Sequence, residues 1–430
     1  MTNALKVAVA GLGTVGAGTL TLLAQHARSL ERRTGRPITV VAVSARERSK
    51  DRGVAIDDFA WYDDAVAMAR EADADVVVEL IGGADGIAKE VCRAAVSAGR
   101  HVVTANKALL AHSGIELALA AEDAGVTLAY EAAVAGGIPA IKALREGLAG
   151  NCVTRVYGIL NGTSNYVLTA MRESGREFED VLGEAQDLGY AEADPSFDVD
   201  GIDAAHKLAI LASVAFGCRI DFDGVYVEGI RRVAPLDIRF ADELGYRIKL
   251  LGIATQTKDG IEQRVHPCMV PLSAPIANID GVFNAVVADG DFMDTLMQEG
   301  RGAGAGPTAS AVVADLVDIA RGRTTPTFGV PARELGALTA APMARHRGAY
   351  YVRLMVVDRP GVFADVAAAL RDNEISMEAV LQRARAPEET VPVVLTTHET
   401  DEAAMMRAVE AIERMDTVAE SPRLIRIEPL

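Results

Sequence analysis

Short apolar runs alternate with longer helical stretches along the first third of the chain. The runs are rich in β-branched residues, as is typical of strands buried in a sheet, and alanine-rich stretches with helical periodicity separate them. The runs are Leu5 to Ala10, Ile38 to Ser44, Asp75 to Ile81, His101 to Thr104 and Val126 to Tyr130. This alternation predicts an α/β domain over residues 1–135, in which a parallel sheet carries helices on both faces.

The pattern changes at about residue 136, where longer segments predict a mixed α+β domain over residues 136–306. Its strand-like runs are Val153 to Leu160, Tyr246 to Gln256, Ile261 to Val270 and Val282 to Ala288, and its clearest helices are Glu179 to Leu188 and Gly201 to Phe216. Small residues from Gly300 to Gly306 indicate a turn, and Pro307 then opens an amphipathic helix over residues 307–321. We expect this helix to pack back on the first domain and complete it.

A third periodic region follows residues 322–348, whose Gly, Pro and Thr content is typical of a linker. Its elements are a strand (Tyr351 to Val357), a helix (Val362 to Asn373), two strands (Met377 to Arg385 and Val391 to Thr397), a helix (Asp401 to Met415) and a strand (Leu424 to Ile427). The order βαββαβ predicts a ferredoxin-like module over residues 349–430.

Composition limits the classes of function that the chain can have. Its 430 residues allow two or three domains, and a net charge of −17 argues against nucleic acid or an anionic membrane as a partner. The four cysteines lack a metal-binding spacing, which suits thiols in a reducing compartment. No apolar run approaches the ~20 residues that span a bilayer. Because a strand begins within the first few residues, we expect no signal peptide and a cytoplasmic protein.

A glycine-rich loop, GLGTVG, directly follows the first strand and opens the first helix. Gly11 permits a tight turn, Gly13 lets the backbone approach a pyrophosphate, and Gly16 allows close helix packing, while Thr14 and Val15 complete the loop. A glycine-tolerant surface turn would contain the same residues. The strand before the loop and the helix after it favour a dinucleotide site in a Rossmann-type domain.

The second strand ends in VVAVSARERSK, where NAD-binding domains usually carry an acidic residue for the ribose hydroxyl. Here Ser44 and Arg46 occupy that region, and more basic residues follow. A hydroxyl and cations suit a 2′-phosphate, so we expect NADP to be preferred, with NAD still possible. The alternative is a solvated basic turn, in which Glu47 also lies.

The segment GYAEADPSFDVDGIDAAHK combines several carboxylates with a helical Asp203 and Lys207 four residues apart. Such residues share one face of a helix, so the carboxylate can hold the ammonium in one direction. A held ammonium can donate a proton or a strong hydrogen bond to a carbonyl oxygen. The alternative is a solvated acidic loop, although Gly189, Pro195 and Gly201 restrict the backbone more than such a loop requires.

Seven motifs in the same order resemble those of homoserine dehydrogenase, and the resemblance covers essentially the whole chain. They are GLGTVG, VVELIGG, TANKALLA, YEAAVAGGIP, LNGTSNY, GYAEADPSFDVDGIDAAHK and GRGAGAGPTASAVVADL. The resemblance implies reversible hydride transfer between a nicotinamide cofactor and C4 of aspartate semialdehyde or homoserine. It makes Lys207 the proton donor to the aldehyde oxygen and Lys107 a second catalytic or orienting lysine beside nicotinamide and substrate.

The resemblance also implies a role for the acidic segment in substrate binding. Glu192 and Asp203 would hold the amino end of the substrate, Asp198 would support them, and Gly189 would belong to the same binding segment. Carboxylates suit this task because an amino-acid substrate brings its own ammonium group.

The resemblance also implies ligands for two glycine-containing loops. Gly304, with Gly302 before it, would return to the cofactor, unless the segment is only a flexible linker of small residues. The other loop would bind a monovalent cation, expected to be sodium, because its oxygen ligands suit a hard cation. Its ligands would be Glu131 and the backbone carbonyls of Val134, Gly136 and Ile138.

The C-terminal module resembles an ACT domain, whose fold commonly binds an amino acid. Asp358, Pro360 and Gly361 form the turn between its first strand and first helix, where backbone N–H groups could meet a carboxylate. In this family the implied effector is threonine. Since ACT domains usually pair, we expect a homodimer or homotetramer, and the alternative is a module that serves dimerisation only.

Two other functions compete with this interpretation. A sensor that binds NADP and an amino acid without turnover would not need Lys107, Glu192, Asp203 and Lys207 together. Aspartate-semialdehyde dehydrogenase needs a nucleophilic cysteine for acyl transfer, and none of the four cysteines has a suitable sequence context.

Overall fold

The computed structural model describes residues 3–337, 339–383 and 388–430. Six parallel strands form the first sheet, in the order β3-β2-β1-β4-β5-β6. Its elements are β1 (Leu5–Ala10), α1 (Thr14–Thr34), β2 (Ile38–Ser44), β3 (Ala60–Tyr62), α2 (Ala65–Glu71), β4 (Val76–Glu79), α3 (Ile87–Ser97), β5 (His101–Thr104), α4 (Lys107–Asp123) and β6 (Leu128–Ala129). The strand order reverses between β1 and β4, which is where sheets of this type bind ligands.

The middle of the chain builds a largely antiparallel sheet with helices packed on it. Its elements are α5 (Ala140–Lys142), β7 (Val153–Ile159), α6 (Gly162–Ser174), α7 (Phe178–Asp187), α8 (Ser196–Val199), α9 (Ile202–Phe216), β8 (Val225–Val227), α10 (Pro235–Glu243), β9 (Tyr246–Thr257), β10 (Gly260–Pro271), β11 (Phe283–Gly290), β12 (Asp294–Arg301) and α11 (Ala305–Ala320). The strand order is β12-β11-β7-β9-β10, and α9 packs against β7, β9 and β10.

Alternate residues of β1 face two different cores, because successive side chains of a strand point to opposite faces of the sheet. Val7 and Val9 share one core with Val312 and Leu316 of α11, which also packs along α1. Ala8 and Ala10 face the other core, which continues into the second sheet. Helix α11 therefore returns to the first sheet, as the amphipathic pattern after residue 300 indicates.

The C-terminal module has the ferredoxin-like βαββαβ order. Its elements are β13 (Arg347–Val357), α12 (Val362–Asp372), β14 (Met377–Gln382), β15 (Thr390–Thr397), β16 (Thr400–Asp401), α13 (Glu402–Glu413) and β17 (Arg423–Ile427). The main strand order is β17-β13-β15-β14, and β17 also pairs in parallel with β10. The module therefore extends the middle sheet. The end of the predicted strand Met377 to Arg385, residues 384–385, lies outside the described residues.

The segment that connects α11 to the C-terminal module is packed against the rest of the chain. The Tyr130 hydroxyl donates to the Thr327 carbonyl at 2.8 Å, and Phe328 is buried. The Ala332 N–H donates to the Glu122 carboxylate. These contacts fix the segment to the first domain, whereas its composition alone predicts a linker.

Several element bounds differ from the sequence pattern. Strand β12 and helix α10 are absent from the predictions, because β12 is polar and half-exposed and α10 has a single buried stripe. Strand β6 keeps only two residues of the predicted run. Helix α11 begins at Ala305, before Pro307, since proline is tolerated in a first turn where its missing N–H would have no partner. Among the described helices, none is both long enough and apolar enough to cross a membrane.

Candidate active site

The loop between β1 and α1 has the geometry that a pyrophosphate needs. Gly11 has a φ of 98°, and a side chain on it would lie 2.5 Å from the Leu80 carbonyl oxygen, so the turn requires glycine. Above Gly13, by contrast, no atom of the described residues lies within 4 Å of the position of a side chain. Gly13 is the N-cap of α1 and provides no side-chain hydrogen bond. The N–H groups of the first turn, around Thr14 and Val15, are therefore left for an anion.

Two further candidates for cofactor binding lie near this loop. Gly304 is the exposed N-cap of α11, and the next residue, Ala305, packs against Gly18 of α1. The Gly11 N–H donates to the Ser44 carbonyl at 2.9 Å, which brings the end of β2 beside the glycine loop. Arg46 follows two residues later, is exposed, and has no hydrogen bond or ion pair with the described residues. Its guanidinium is therefore available to a ligand.

Polar residues at the carboxyl ends of β4 and β5 fix the start of α4. Glu79 is fully buried and accepts a hydrogen bond from the Thr104 hydroxyl at 2.6 Å. The side chain of Asn106 accepts the N–H of Leu109 at 3.0 Å and so caps α4. Because Lys107 is the first residue of this helix, the cap determines where its side chain begins.

Lys107, Asp203 and Lys207 form an ion cluster between α4 and α9. Lys207 Nζ donates to one carboxylate oxygen of Asp203 at 2.6 Å, and Lys107 Nζ lies 3.1 Å from the other oxygen. Asp203 is only 4% exposed. Burial alone would raise the pKa of its carboxyl, but the charges of Lys207 and Lys107 outweigh burial and lower that pKa well below its usual range. An ionised Asp203 thus holds both lysines.

The end of β7 supplies further contacts to this cluster. Lys207 Nζ also donates to the Leu160 carbonyl at 2.6 Å. The Asn161 amide donates to Asp203 at 2.8 Å and to Asp198 at 2.7 Å, while its oxygen caps α6. An ammonium has three N–H donors, and Lys207 uses two of them on described residues. One donor is therefore left for an oxygen of a substrate.

The carboxylates predicted to bind substrate divide into two groups. Asp198 joins the cluster through Asn161, and burial, followed by the charge of Asp203, raises the pKa of its carboxyl. Glu192 is exposed on the loop between α7 and α8, where the Gln186 side chain donates to its backbone carbonyl at 3.0 Å. Gly189, also exposed, lies just after the end of α7 with a φ of 74°. Direct contact of Glu192 and Gly189 with substrate stays a prediction.

Glu131 is a buried carboxylate near the junction of the first two sheets. Its two oxygens accept the N–H groups of Ile141 and Lys142, each at 2.9 Å, and its own N–H donates to Asp315. Burial and then the charge of Asp315 raise the pKa of Glu131 to about 7. A nearby cation would offset this unfavourable negative charge, so the residues fit a cation site.

The loop after Glu131 brings backbone carbonyls into the same region. Val134, Gly136 and Ile138 are buried, and the carbonyl of Ile138 already accepts the Ala140 N–H at 2.8 Å. A side chain on Gly136 would collide with the Gly302 carbonyl, so the loop lies directly against the glycine-rich segment before α11. Carbonyl oxygens are suitable ligands for a hard monovalent cation.

Comparison with known proteins gives matches along the whole chain. The homoserine dehydrogenase of Pseudomonas aeruginosa is 47% identical over 434 residues, which cover 99% of each chain. The chain belongs to the homoserine dehydrogenase family. Its family models match as "Homoserine dehydrogenase, NAD binding domain" over residues 11–131, "Homoserine dehydrogenase" over residues 139–317 and "ACT domain" over residues 350–414.

Solved structures of homoserine dehydrogenases agree with this assignment. The enzyme from Thiobacillus denitrificans is 46% identical, covers 99% of each chain and superposes with a TM-score of 0.94. A hyperthermophilic archaeal homoserine dehydrogenase in complex with NADPH is 25% identical, with a TM-score of 0.65 over 75% of this chain and all of that chain. The protein is thus an oxidoreductase, homoserine dehydrogenase, with an NAD(P)-binding domain, a catalytic domain and a C-terminal ACT domain. The expected α/β fold class and family are confirmed.

Three side chains in or beside this homoserine dehydrogenase site were not predicted from the sequence. Asn161 lies in the motif LNGTSNY, and a buried amide after a strand was the available signal. Phe197 lies within the acidic segment, with its ring 5.6 Å from Lys107 Nζ. His112 lies five residues beyond Lys107 on α4 and has no motif of its own. Their roles depend on packing between elements that are distant in sequence.

Proposed function

We propose that Lys207 donates the proton to the aldehyde oxygen when L-aspartate 4-semialdehyde is reduced to L-homoserine. Hydride addition to the carbonyl carbon places negative charge on the oxygen, and an ammonium group neutralises that charge. The observation that carries the proposal is the bonding of Lys207 Nζ, which has two partners, Asp203 and Leu160, and one remaining donor. In the reverse direction the neutral amine accepts the alcohol proton.

Lys107 and Asp203 complete the proposed machinery. Asp203 orients Lys207 through one oxygen and Lys107 through the other, so one carboxylate sets the positions of two ammonium groups. The Lys107 side chain is 31% exposed, compared with 11% for Lys207. Lys107 can therefore reach a substrate or a nicotinamide that lies at the carboxyl ends of the first sheet. Two positive charges at the reacting oxygen stabilise the developing alkoxide.

The amino end of the substrate needs a negative partner, which the loop between α7 and α9 can supply. Both oxygens of Asp203 are engaged by lysines, so Glu192 is the better candidate for direct contact. Its side chain is exposed and has no hydrogen bond or ion pair with the described residues. Asp198 would support the substrate from within the cluster, through its hydrogen bond with Asn161.

NADP is the proposed cofactor, and the family also allows NAD. When bound, it supplies the hydride. The uncapped first turn of α1 would hold the pyrophosphate, with Gly11, Gly13 and Gly16 shaping the loop, and the N-cap Gly304 would lie against the cofactor. Arg46 would pair with a 2′-phosphate, as a guanidinium readily does. The similar archaeal enzyme that holds NADPH supports this preference.

A monovalent cation, expected to be sodium, is proposed at Glu131 and the carbonyls of Val134, Gly136 and Ile138. Support comes from the buried carboxylate of Glu131, which has no ion-pair partner among the described residues, whereas the neighbouring Asp315 is paired with Lys142 Nζ at 3.1 Å. The cation would hold the loop against the glycine-rich segment before α11. Thermal unfolding in sodium, potassium and choline chlorides at equal ionic strength tests this, since a site for sodium predicts stabilisation by sodium only.

The ACT domain is proposed to bind threonine at the turn before α12. Gly361, with a φ of 98°, is the N-cap of this helix, and in the first turn the N–H of Phe363 has no acceptor among the described residues and could meet a carboxylate. Gly361→Val should strain the turn and weaken threonine inhibition, without altering turnover in the absence of threonine. Unaltered inhibition in this variant would contradict the assignment. Deletion of the domain is a poor test, because β17 pairs with β10.

Oligomeric state and cellular location are further proposals. A homodimer or homotetramer is supported by the strands at the two ends of the large sheet, β12 and β14, whose outer edges have no partner strand among the described residues. Sedimentation analysis of the intact enzyme decides between dimer and tetramer. A cytoplasmic location is supported by four free cysteines.

The proton-donor role is tested by replacing Lys207 and, as a matched control, a second buried lysine outside the cluster. Lys207→Ala should lower kcat by roughly two to four orders of magnitude while NADPH affinity stays the same. Lys249→Ala removes another buried lysine, whose partners Asn165 and Asp280 lie outside the cluster, and should retain most of its turnover. Oxidation of NADPH by aspartate semialdehyde is followed by absorbance. A near-normal rate in Lys207→Ala would assign the proton to another group.

The alternative of a sensor that binds NADP without turnover is set aside, because the chain belongs to the homoserine dehydrogenase family.

A further inference from the structure

Two histidines link the helices that carry the two lysines of the cluster. His112 lies on α4, five residues after Lys107, and His206 lies on α9, directly before Lys207. Their Nε2 atoms are 3.3 Å apart. One ring must therefore donate and the other accept, which makes this contact a directed hydrogen bond between the first domain and the second.

The direction of this hydrogen bond follows from burial. His206 is 5% exposed, and burial, then the neighbouring charges of His112 and Lys107, lowers its pKa to about 4, so the ring is neutral. Its Nδ1 is buried and has no partner among the described residues. A buried N–H without a partner is less tolerated than an acceptor without one, so the proton of His206 resides on Nε2. His206 therefore donates to His112, which is an exposed residue.

Aromatic rings pack against His206 and connect the pair to the lysines. Phe222 stacks on His206 with ring centroids 4.3 Å apart and meets His112 edge-on at 5.0 Å. Phe197 lies 5.5 Å from His206 on another side, and its ring is also 5.6 Å from Lys107 Nζ. The surroundings of the buried His206 are of low polarity, which strengthens the hydrogen bond from that side.

We propose that the hydrogen bond from His206 to His112 is a positioning contact that fixes α4 to α9 and so sets the separation of Lys107 and Lys207. Helix α4 belongs to the sheet that carries the cofactor loop, and α9 belongs to the catalytic domain. Hydride transfer requires both domains to hold their ligands in one geometry, and displacement by about 1 Å can cost as much as 100-fold in rate. The inference rests on the proposed roles of the two lysines.

The hydrogen bond is separated from the packing around it by four variants: His206→Phe, His112→Phe, the double Phe variant and His206→Gln. His206→Phe keeps a ring against Phe222 but removes the donor, and should lower kcat about 10-fold, as loss of one hydrogen bond of typical strength allows. His206→Gln keeps an N–H donor where Nε2 lies and should recover most of the rate. The double variant His112→Phe/His206→Phe should be no slower than the slower single variant, because both changes break the same contact.

The kinetic isotope effect supplies a readout that a merely structural role would not move. With NADPH deuterated at the transferred position, the isotope effect on kcat should rise in His206→Phe, because misaligned domains make hydride transfer more rate-limiting, while NADPH affinity stays constant. Equal losses in the Gln and Phe variants, or a normal rate in the Phe variant, would overturn the proposal. A fast Lys207→Ala enzyme would instead refute the proton-donor role, so the two failures are distinguishable.

Discussion

Two clusters of buried charged residues in this molecule contain similar groups, but only one of them leaves donors for a ligand. The catalytic cluster joins Lys107, Asp203 and Lys207, and the Lys107 side chain is 31% exposed. The second cluster, which we call the junction cluster, lies where the C-terminal module meets β10 and consists of Glu262, Arg264, His266, His346 and Glu428. The Arg264 side chain is 5% exposed. One cluster retains donors for a ligand, and the other uses its donors internally.

The junction cluster is filled by its own arginine. Arg264 donates to Glu262 at 2.6 Å, to Glu428 through both terminal nitrogens and to His266 at 2.9 Å. The ligand atoms of His266, Cys268 and Glu428 lie close enough together to hold a metal ion, but the guanidinium binds two of these three residues. A set of metal-ligating residue types is therefore insufficient to indicate a site when a positive side chain already occupies it.

The two clusters differ in how many hydrogen-bond donors they leave unused, and this number distinguishes a cluster that can bind a ligand from one that only stabilises the fold. In both clusters, removing the charged groups from water costs free energy, and only well-placed hydrogen bonds and ion pairs offset this cost. The junction cluster recovers that energy within the protein, so its loss should affect folding. The catalytic cluster leaves one donor of Lys207 and the exposed Lys107 for a ligand, so its loss should affect turnover.

The largest expected effect is on stability, from Arg264→Met. Removing the guanidinium leaves Glu262 and Glu428 buried without their common partner, and should lower the free energy of unfolding by about 3–5 kcal/mol. Urea denaturation followed by circular dichroism measures it. Arg333→Met, which breaks an exposed pair with Asp123, is the matched control and should change stability by less than about 1 kcal/mol. If both variants lowered the free energy of unfolding equally, the buried cluster would be no more important for stability than an exposed ion pair.

The junction cluster should also produce a defined dependence of stability on pH. Burial raises the pKa of Glu262, but its hydrogen bond with His346 and the charge of Arg264 lower that pKa to about 2, below its ordinary value of 4.5. Because the folded pKa is depressed, the stabilisation is complete above about pH 4.5 and is lost as pH falls toward 2. The shift corresponds to about 3 kcal/mol.

Glu262→Gln provides the measurement of this dependence. The stability difference between wild type and variant should be largest at pH 6 and shrink as the pH is lowered from 4.5 to 3. A difference that stays constant over this range would show that folding does not lower the pKa of Glu262, and the closed cluster would then need another account of its charges.

The catalytic cluster should respond in the opposite way. Asp203→Asn keeps the shape of the side chain but removes the charge that holds both lysines, and should lower kcat roughly 100-fold. Its effect on unfolding should be smaller than that of Arg264→Met, because the exposed end of Lys107 can be solvated. Steady-state kinetics and urea denaturation on the same preparation test both parts. A variant that unfolds easily yet turns over normally would contradict the comparison.

Local pattern predicted much of the fold, because strands such as Leu5–Ala10 and Ile38–Ser44 are apolar runs that end at turn residues. The contact between Asp203 and Lys207 was also predictable, because residues four positions apart lie on the same face of a helix. The contact of Lys107 with Asp203 was not predicted, because it depends on packing of α4 against α9; family resemblance placed Lys107 only beside nicotinamide and substrate. The pairing of Arg264 with Glu428 had no local signal at all, since 164 residues separate them.

The smallest expected effect concerns Arg46, whose donors are all unused among the described residues. Arg46 is exposed and has no hydrogen bond or ion pair with the described residues, so all of its bonding capacity is open to a ligand. Arg46→Ala should lower the preference for NADP over NAD about 10-fold, the value of one charge-assisted contact with a 2′-phosphate. Arg32→Ala, an exposed arginine near the far end of α1, is the control and should leave the ratio of kcat/KM for the two cofactors unchanged. An equal ratio in Arg46→Ala and wild type would mean that an exposed, unpartnered charge is not enough to identify a binding residue, and that partial burial, as at Lys107, is also required.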